Sequence, residues 1–266
     1  MSTVHISELL PETRVFPPSP AFAAAANVHR EEYERAAADP VAWWERQAER
    51  LQWSERWHTA HRFVPAQRPD GSLRPPEIAW FEGGRLNVAV NCVDRHVEAG
   101  LGDRVAFHFE GEPGDRRSLT YGELQREVSR AANALEALGV RAGDRVVVYL
   151  PVLLETVVVT LAIARIGAVH SLVFGGFSAE ALRFRVADTE AKLVVTTDGQ
   201  YRRGRAVPVR AAVDEAVEGL EHVEHVLVVR RTGDDVAMTA GRDVWWHDVV
   251  DTAGDCLLYT SPSPRD

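Results

Sequence analysis

Apolar and polar positions follow two different periods along the chain, and both become regular from about residue 103. "DRVAFHFEG" alternates every second position, which predicts a half-buried strand. "TYGELQREVSRAANALEALG" returns apolar residues every three to four positions, placing Leu124, Val128, Ala131, Leu135 and Leu138 on one helical face. Thr120 and Glu123 have capping-box spacing at its start, and Gly139 suits the left-handed position past its end. "DRVVVYL" is then a continuously apolar strand. "PVLLETVVVTLAIARIG" predicts a helix from Pro151 to Gly167, apolar on most faces and therefore buried between layers.

The alternation continues with "AVHSLVFGG" as a strand, "FSAEALRFRVADT" as a helix capped by Ser178, and "KLVVTTD" as a strand. "VRAAVDEAVEGL" follows as a helix and "EHVLVVRR" as a strand. Strands of continuous apolar character separated by helices of this length predict an α/β fold, a parallel βαβ sheet covered on both faces. No internal repeat is present.

The first hundred residues read differently. Residues 1–38 carry breaker signals ("FPPSPAF") and form an arm with one helix. In "DPVAWWERQAERLQWSERW", Asp39 suits the N-cap, Pro40 the first helical position, and Trp43, Trp44, Ala48 and Leu51 recur at helical spacing. Five tryptophans between Trp43 and Trp80 suit a ligand cage or the packing of a small helical module. "QRPDGSLRPPEIAWFEGG" is loop-like and leads into "RLNVAVNCVDRH". Asn91, Cys92, Asp94, Arg95 and His96 are read there as a buried polar junction, since short spacing along a chain does not make a nucleophilic Cys–His pair. His170, inside an apolar strand, is read as a core histidine.

Composition narrows the function. A net charge of −9 and a pI near 5.6 argue against a nucleic-acid binder. The longest apolar run, "VVVTLAIA", is far short of the roughly 20 residues of a membrane span, and no signal peptide is visible, so a cytoplasmic protein with no membrane partner is expected. Two cysteines, Cys92 and Cys256, make no disulfide framework, and no Cys/His cluster has zinc spacing. Lys192 is the sole lysine, so no Gly-rich loop ends in Gly-Lys-Ser or Gly-Lys-Thr.

Two stretches carry candidate chemistry. In "VFGGFSAEAL" a buried strand runs into two glycines and a serine-capped helix, a corner that is either structural or presents backbone N–H groups to an anion. "TTDGQYRRGRAV" follows another strand, at the carboxyl end where ligands gather in open α/β sheets. Its Arg202, Arg203 and Arg205 suit phosphate oxygens, and Gly204 allows close approach of the backbone. Solvated surface is the other reading of such a loop.

"WFEGGRLNVAVNCVDRH", "LTYGELQREVSRAANALEALGVRAGDRVVVYLP", "LAIARIGAVHSLVFGGFSAEALRFRVADTEAKLVVTTDG" and "RRGR" together resemble the N-terminal part of AMP-forming acetyl-CoA synthetases, within the adenylate-forming superfamily. The similarity runs from about Trp43 to Val250. It implies the large domain of that fold, preceded by a small, mainly helical module. It also implies an acetate–CoA ligase, which activates acetate with ATP and magnesium to an acetyl-adenylate, releases pyrophosphate and passes the acetyl group to CoA. For this chain the resemblance implies that Arg202, Arg203, Gly204 and Arg205 bind the nucleotide end of CoA, whose 3′-phosphate needs positive partners. The resemblance likewise implies that Phe174 and Gly175 lie beside the CoA adenine. The phosphate loop, acetate pocket, magnesium ligands and adenylation lysine of relatives lie further on, so no catalytic residue and no metal ligand is expected here, and the stretch alone is expected to be inactive. The residues leave open a stand-alone CoA-binding module without enzymatic activity, and a parent ligase preferring propionate or another short acid. They do not indicate an oligomeric state.

The expected organisation is therefore an arm over 1–38, a synthetase N-terminal module over 39–96, and the N-terminal part of the AMP-dependent synthetase/ligase domain over 97–255. The final "CLLYTSPSPRD", 256–266, departs in composition and resembles the translation of a transposase-type sequencing adapter. It is expected to be an artefact, with genuine sequence ending near Asp255.

Overall fold

The computed structural model describes residues 14–66 and 71–256. Most of the final segment, 257–266, lies outside the described residues. The chain divides into two compact units, Met1–Arg50 with Ala60–Ile78, and Leu51–Thr59 with Ala79–Asp266.

The N-terminal unit holds helices α1 (Pro20–Ala24), α2 (Arg30–Ala38) and α3 (Pro40–Ala48). Asp39 caps α3 as expected, its carboxylate accepting the Ala42 N–H at 3.0 Å with Pro40 in the first turn. Trp43 Nε1 donates to Glu32 at 2.6 Å and ties α3 to α2. Where one helix was expected in the arm there are two, and α3 stops before Leu51, which is exposed. Strands β1 (Thr59–Val64) and β2 (Glu77–Glu82) follow. Trp43 and Trp44 meet edge to face in the smaller unit, and Trp53, Trp57 and Phe81 cluster in the other.

In the larger unit β3 (Val105–Glu110) pairs antiparallel to β4 (Arg116–Thr120), followed by α4 (Tyr121–Ala137). Then come β5 (Arg145–Val148), α5 (Leu154–Arg165), β6 (Val169–Leu172), α6 (Ala179–Asp188) and β7 (Leu193–Thr197). A hairpin, β8 (Gly199–Arg202) with β9 (Arg205–Pro208), precedes α7 (Arg210–Val217), β10 (His225–Val229), β11 (Asp243–Trp245) and α8 (Trp246–Val249). The central sheet is parallel throughout, in the order β11-β10-β7-β5-β6.

Alternation along the buried strands produces two cores. Val146 and Val148, Leu193 and Val195, and Leu227 and Val229 pack with α4 and α5 on one face. Val147, Val194, Val226 and Val228 point the other way and pack with Leu182 and Val186 of α6 and Val213 and Val217 of α7. The α/β class and parallel sheet are thus as the sequence predicted.

The capping box closes in both directions. Thr120 Oγ1 accepts the Glu123 N–H at 3.2 Å, and Glu123 accepts the Thr120 N–H at 2.8 Å. Thr120→Ala should lower stability by about 1 kcal/mol, read from the urea unfolding midpoint. An unchanged midpoint would show that the box contributes nothing.

Three expectations need correction. The apolar helix begins at Leu154, with Leu153 at the cap, because the end of β5 runs on through Pro151 as loop. His170 is not a core histidine: it is exposed on β6, which forms the edge of the sheet among the described residues. "GQYRRGRAVP" is a β-hairpin rather than a loop. The junction near residue 92, expected to be buried, is polar but buried only in part, at Asn91 and Asp94. Asn91 bonds Gln52 N and O, Asp94 pairs with Arg165 at 2.7 Å with both side chains fully buried, and Cys92 is exposed.

Candidate functional site

Strand order decides where a ligand fits. The connection after β5 passes through α5 to β6 on one side, and β6 then crosses through α6 to β7 on the other side of β5. Because α5 and α6 pack on opposite faces, a crevice opens where the chain leaves β5, at the carboxyl ends of the strands. A cleft of about 640 Å³ lies there. It is lined by the end of β3 and its turn, the loop after β5, Val173–Gly176 after β6, Gln200–Arg202 of β8, and Arg231 after β10. A groove of about 840 Å³ in the N-terminal unit is larger, but it is formed by α1, α2 and their connection, with no strand end or arginine cluster.

Phe174, Gly175 and Arg202, from the two candidate stretches, therefore line one cleft. Phe174 is exposed and meets Phe177 at 6.1 Å between ring centroids. A Cβ on Gly176 would stand 2.8 Å from Phe174 Cε1 and 3.0 Å from Arg202 Nη1, so a larger residue there would push the Phe174 ring or the Arg202 guanidinium aside. Arg203, Gly204 and Arg205 lie beyond the lining, at the hairpin tip.

Both central residues of that tip have positive φ, Arg203 at 54° and Gly204 at 73°, which gives a type I′ turn. Arg202 and Arg205 are directly paired across it, so their side chains share one face. The two turn amides are already used: Arg203 N and Gly204 N donate to the Glu112 carboxylate at 3.1 and 2.9 Å. An anion at this tip is consequently met by the arginine side chains, not by the backbone at Gly204.

Several residues that the sequence reading passed over build the site. Tyr149, buried at the end of β5, donates its hydroxyl to Phe177 O at 2.8 Å, and burial pushes its phenol above the ordinary value, so it stays a donor. Gln200 Nε2 donates to Gly175 O at 2.7 Å. Asp198, fully buried after β7, accepts N–H groups from Gly199, Arg231, Thr232 and Gly233 at 2.7 to 3.1 Å and fixes the loop after β10. Arg231 holds Asp115 bidentately at 2.6 and 3.0 Å and lies over Phe109 and Tyr201. That guanidinium keeps the Asp115 carboxyl below the usual carboxylate value. No local pattern marks these residues, since their partners are up to 116 positions away.

Lys192 sits at the opposite end of the sheet, just before β7, and donates to Gly139 O at 2.8 Å. Among the described residues no group of three or more His, Cys, Asp or Glu side chains could hold a metal ion. No helix among them is long and apolar enough to cross a membrane.

Residues 93–263 match the family model of the AMP-binding enzymes, and residues 29–92 match that of the acetyl-coenzyme A synthetase N-terminus. The acetyl-coenzyme A synthetase of Streptomyces avermitilis is 57% identical over 250 residues, covering 94% of this chain and 37% of that protein. That of Mycobacterium tuberculosis strain H37Rv is 51% identical over 265 residues, covering 98% and 39%. Among solved structures, the acetoacetyl-CoA synthetase from Streptomyces lividans superposes with a TM-score of 0.74 at 25% identity, covering 90% of this chain and 36% of that one. The chain thus spans little more than a third of the length of these relatives.

Proposed function

This chain belongs to the AMP-binding enzyme family, and on that premise we propose that it is the N-terminal part of a cytoplasmic, AMP-forming acetate–CoA ligase. The observation that carries this reading is the 57% identity to a protein named acetyl-coenzyme A synthetase, continuous over 94% of the chain. The parent enzyme joins acetate to ATP as acetyl-adenylate with loss of pyrophosphate. The CoA thiol then attacks the acetyl carbon and AMP leaves. Its substrates are small molecules.

Within that reaction these residues dock CoA. Arg202 and Arg205 share one hairpin face and meet the 3′-phosphate as a cationic pair, a charge-assisted contact that two paired strands hold in register. Phe174 offers an exposed ring for the adenine at the mouth of the cleft, and Gly175 and Gly176 keep the neighbouring backbone low. Magnesium accompanies ATP in the family, but the described residues offer no cluster of metal ligands, and no step here is routed through it.

The adenylation step needs phosphate donors that these residues do not assemble. Lys192, the only lysine, is tied to Gly139 at the amino end of β7, away from the cleft. The 266-residue chain should therefore show no acetate-dependent exchange of labelled pyrophosphate into ATP. Exchange above a no-acetate control would contradict the division of roles proposed here.

A further inference from the structure

The two halves of the cleft stand on segments that follow strands which do not pair with each other. The aromatic turn 174–177 follows β6, the arginine hairpin follows β7, and β5 lies between those strands. Both segments lie past the last residues that β6 and β7 pair with β5, so no sheet ladder reaches them. One side chain bridges the gap. Gln200, buried on β8 with 8% of its surface exposed, donates to Gly175 O at 2.7 Å. By the two-residue period of a strand, Gln200 lies on the same side of β8 as Arg202. Tyr149 anchors the other end of the turn: its single hydroxyl proton serves Phe177 O at 2.8 Å, and the longer 3.4 Å approach to Gly175 O leaves that carbonyl mainly to Gln200.

Resting on the reading of this cleft as the CoA nucleotide site, we propose that Gln200 is a positioning residue. It fixes the distance between the Phe174 platform and the Arg202–Arg205 face, and through that distance makes the site selective for a nucleotide bearing a 3′-phosphate. CoA has to satisfy ring and arginines together, so it depends on their spacing. Dephospho-CoA keeps the adenine, the diphosphate and the pantetheine arm but has no 3′-phosphate, so it does not depend on the spacing between ring and arginines. Loosening the turn from the hairpin should therefore penalise CoA and spare dephospho-CoA, whereas general damage to the fold would weaken both alike.

Gln200→Met keeps the side-chain length and removes the donor. Titration calorimetry of the 266-residue chain should show the CoA Kd rising about tenfold, the size expected for one charge-assisted contact made poorly. The dephospho-CoA Kd should change by less than about twofold, the scale of a contact that is kept. Unfolding midpoints establish that the variant is folded; if it is not, Tyr149→Phe, which frees the same turn from its other end, is judged by the same ratio. A preference for CoA over dephospho-CoA that survives the substitution, or a parallel weakening of both ligands, overturns the role of Gln200 and leaves the CoA site standing. Absence of CoA binding by the unsubstituted chain rejects the site itself, and the inference with it.

Discussion

Asp94→Ala is expected to cost about 3–5 kcal/mol of unfolding free energy, the range for removing one member of a buried ion pair. Asp94 and Arg165 are both fully buried and 2.7 Å apart. Gln125 of α4 adds a hydrogen bond to the same Asp94 oxygen at 3.0 Å. The pair therefore joins three pieces of chain: the π-helical turn Val90–Asp94, the early part of α4 at Gln125 and the last residue of α5. Chemical unfolding read by tryptophan fluorescence checks this. A loss below about 1 kcal/mol, the size of a surface pair, would show that the junction relaxes into water. The double variant Asp94→Leu with Arg165→Met should recover much of the loss, because it removes both charges and keeps the volume.

The second large effect concerns the ligand. Arg202→Ala combined with Arg205→Ala should weaken CoA about a hundredfold or more, two charge-assisted hydrogen bonds being lost together. Dephospho-CoA should hardly respond. The two arginines are directly opposed across β8 and β9, so each single change should lose less than half of the combined effect on a logarithmic scale. Calorimetry on the singles and the double measures this coupling. Equal loss for CoA and dephospho-CoA would mean that the hairpin supports the fold without meeting the phosphate.

How much of this was legible beforehand depends on how local the cause is. The apolar runs "RVVV", "LVV" and "HVLVV" announced β5, β7 and β10, because strands buried on both faces need no alternation. Asp39, Thr120 and Ser178 announced helix starts, because a cap and its N–H groups lie within three residues. β4 was missed: "RRSLT" is short, mostly exposed and polar, and it is a strand only because β3 pairs with it. The β8–β9 hairpin was missed because arginines occupy its strand positions, although Arg-Gly between "GQYR" and "RAVP" has the two-residue length of a hairpin turn.

His170 shows the opposite failure. Its neighbours are apolar, but exposure follows from strand order, and β6 comes to lie at an edge that no local pattern announces. At the cleft, Arg202 and the Phe174–Gly175 corner were legible as candidates because charge, glycine and strand ends are local signals. Gln200, Glu112 and Tyr149 were not, since each matters through a partner 25 to 92 positions away.

Titrating CoA and dephospho-CoA into the purified 266-residue chain tests the central claim most directly. Saturable one-to-one binding of CoA, tighter than dephospho-CoA and weakening as salt rises, is the predicted result, since the difference lies in one phosphate on an exposed arginine face. No heat with CoA, or equal binding of the two nucleotides, would contradict it.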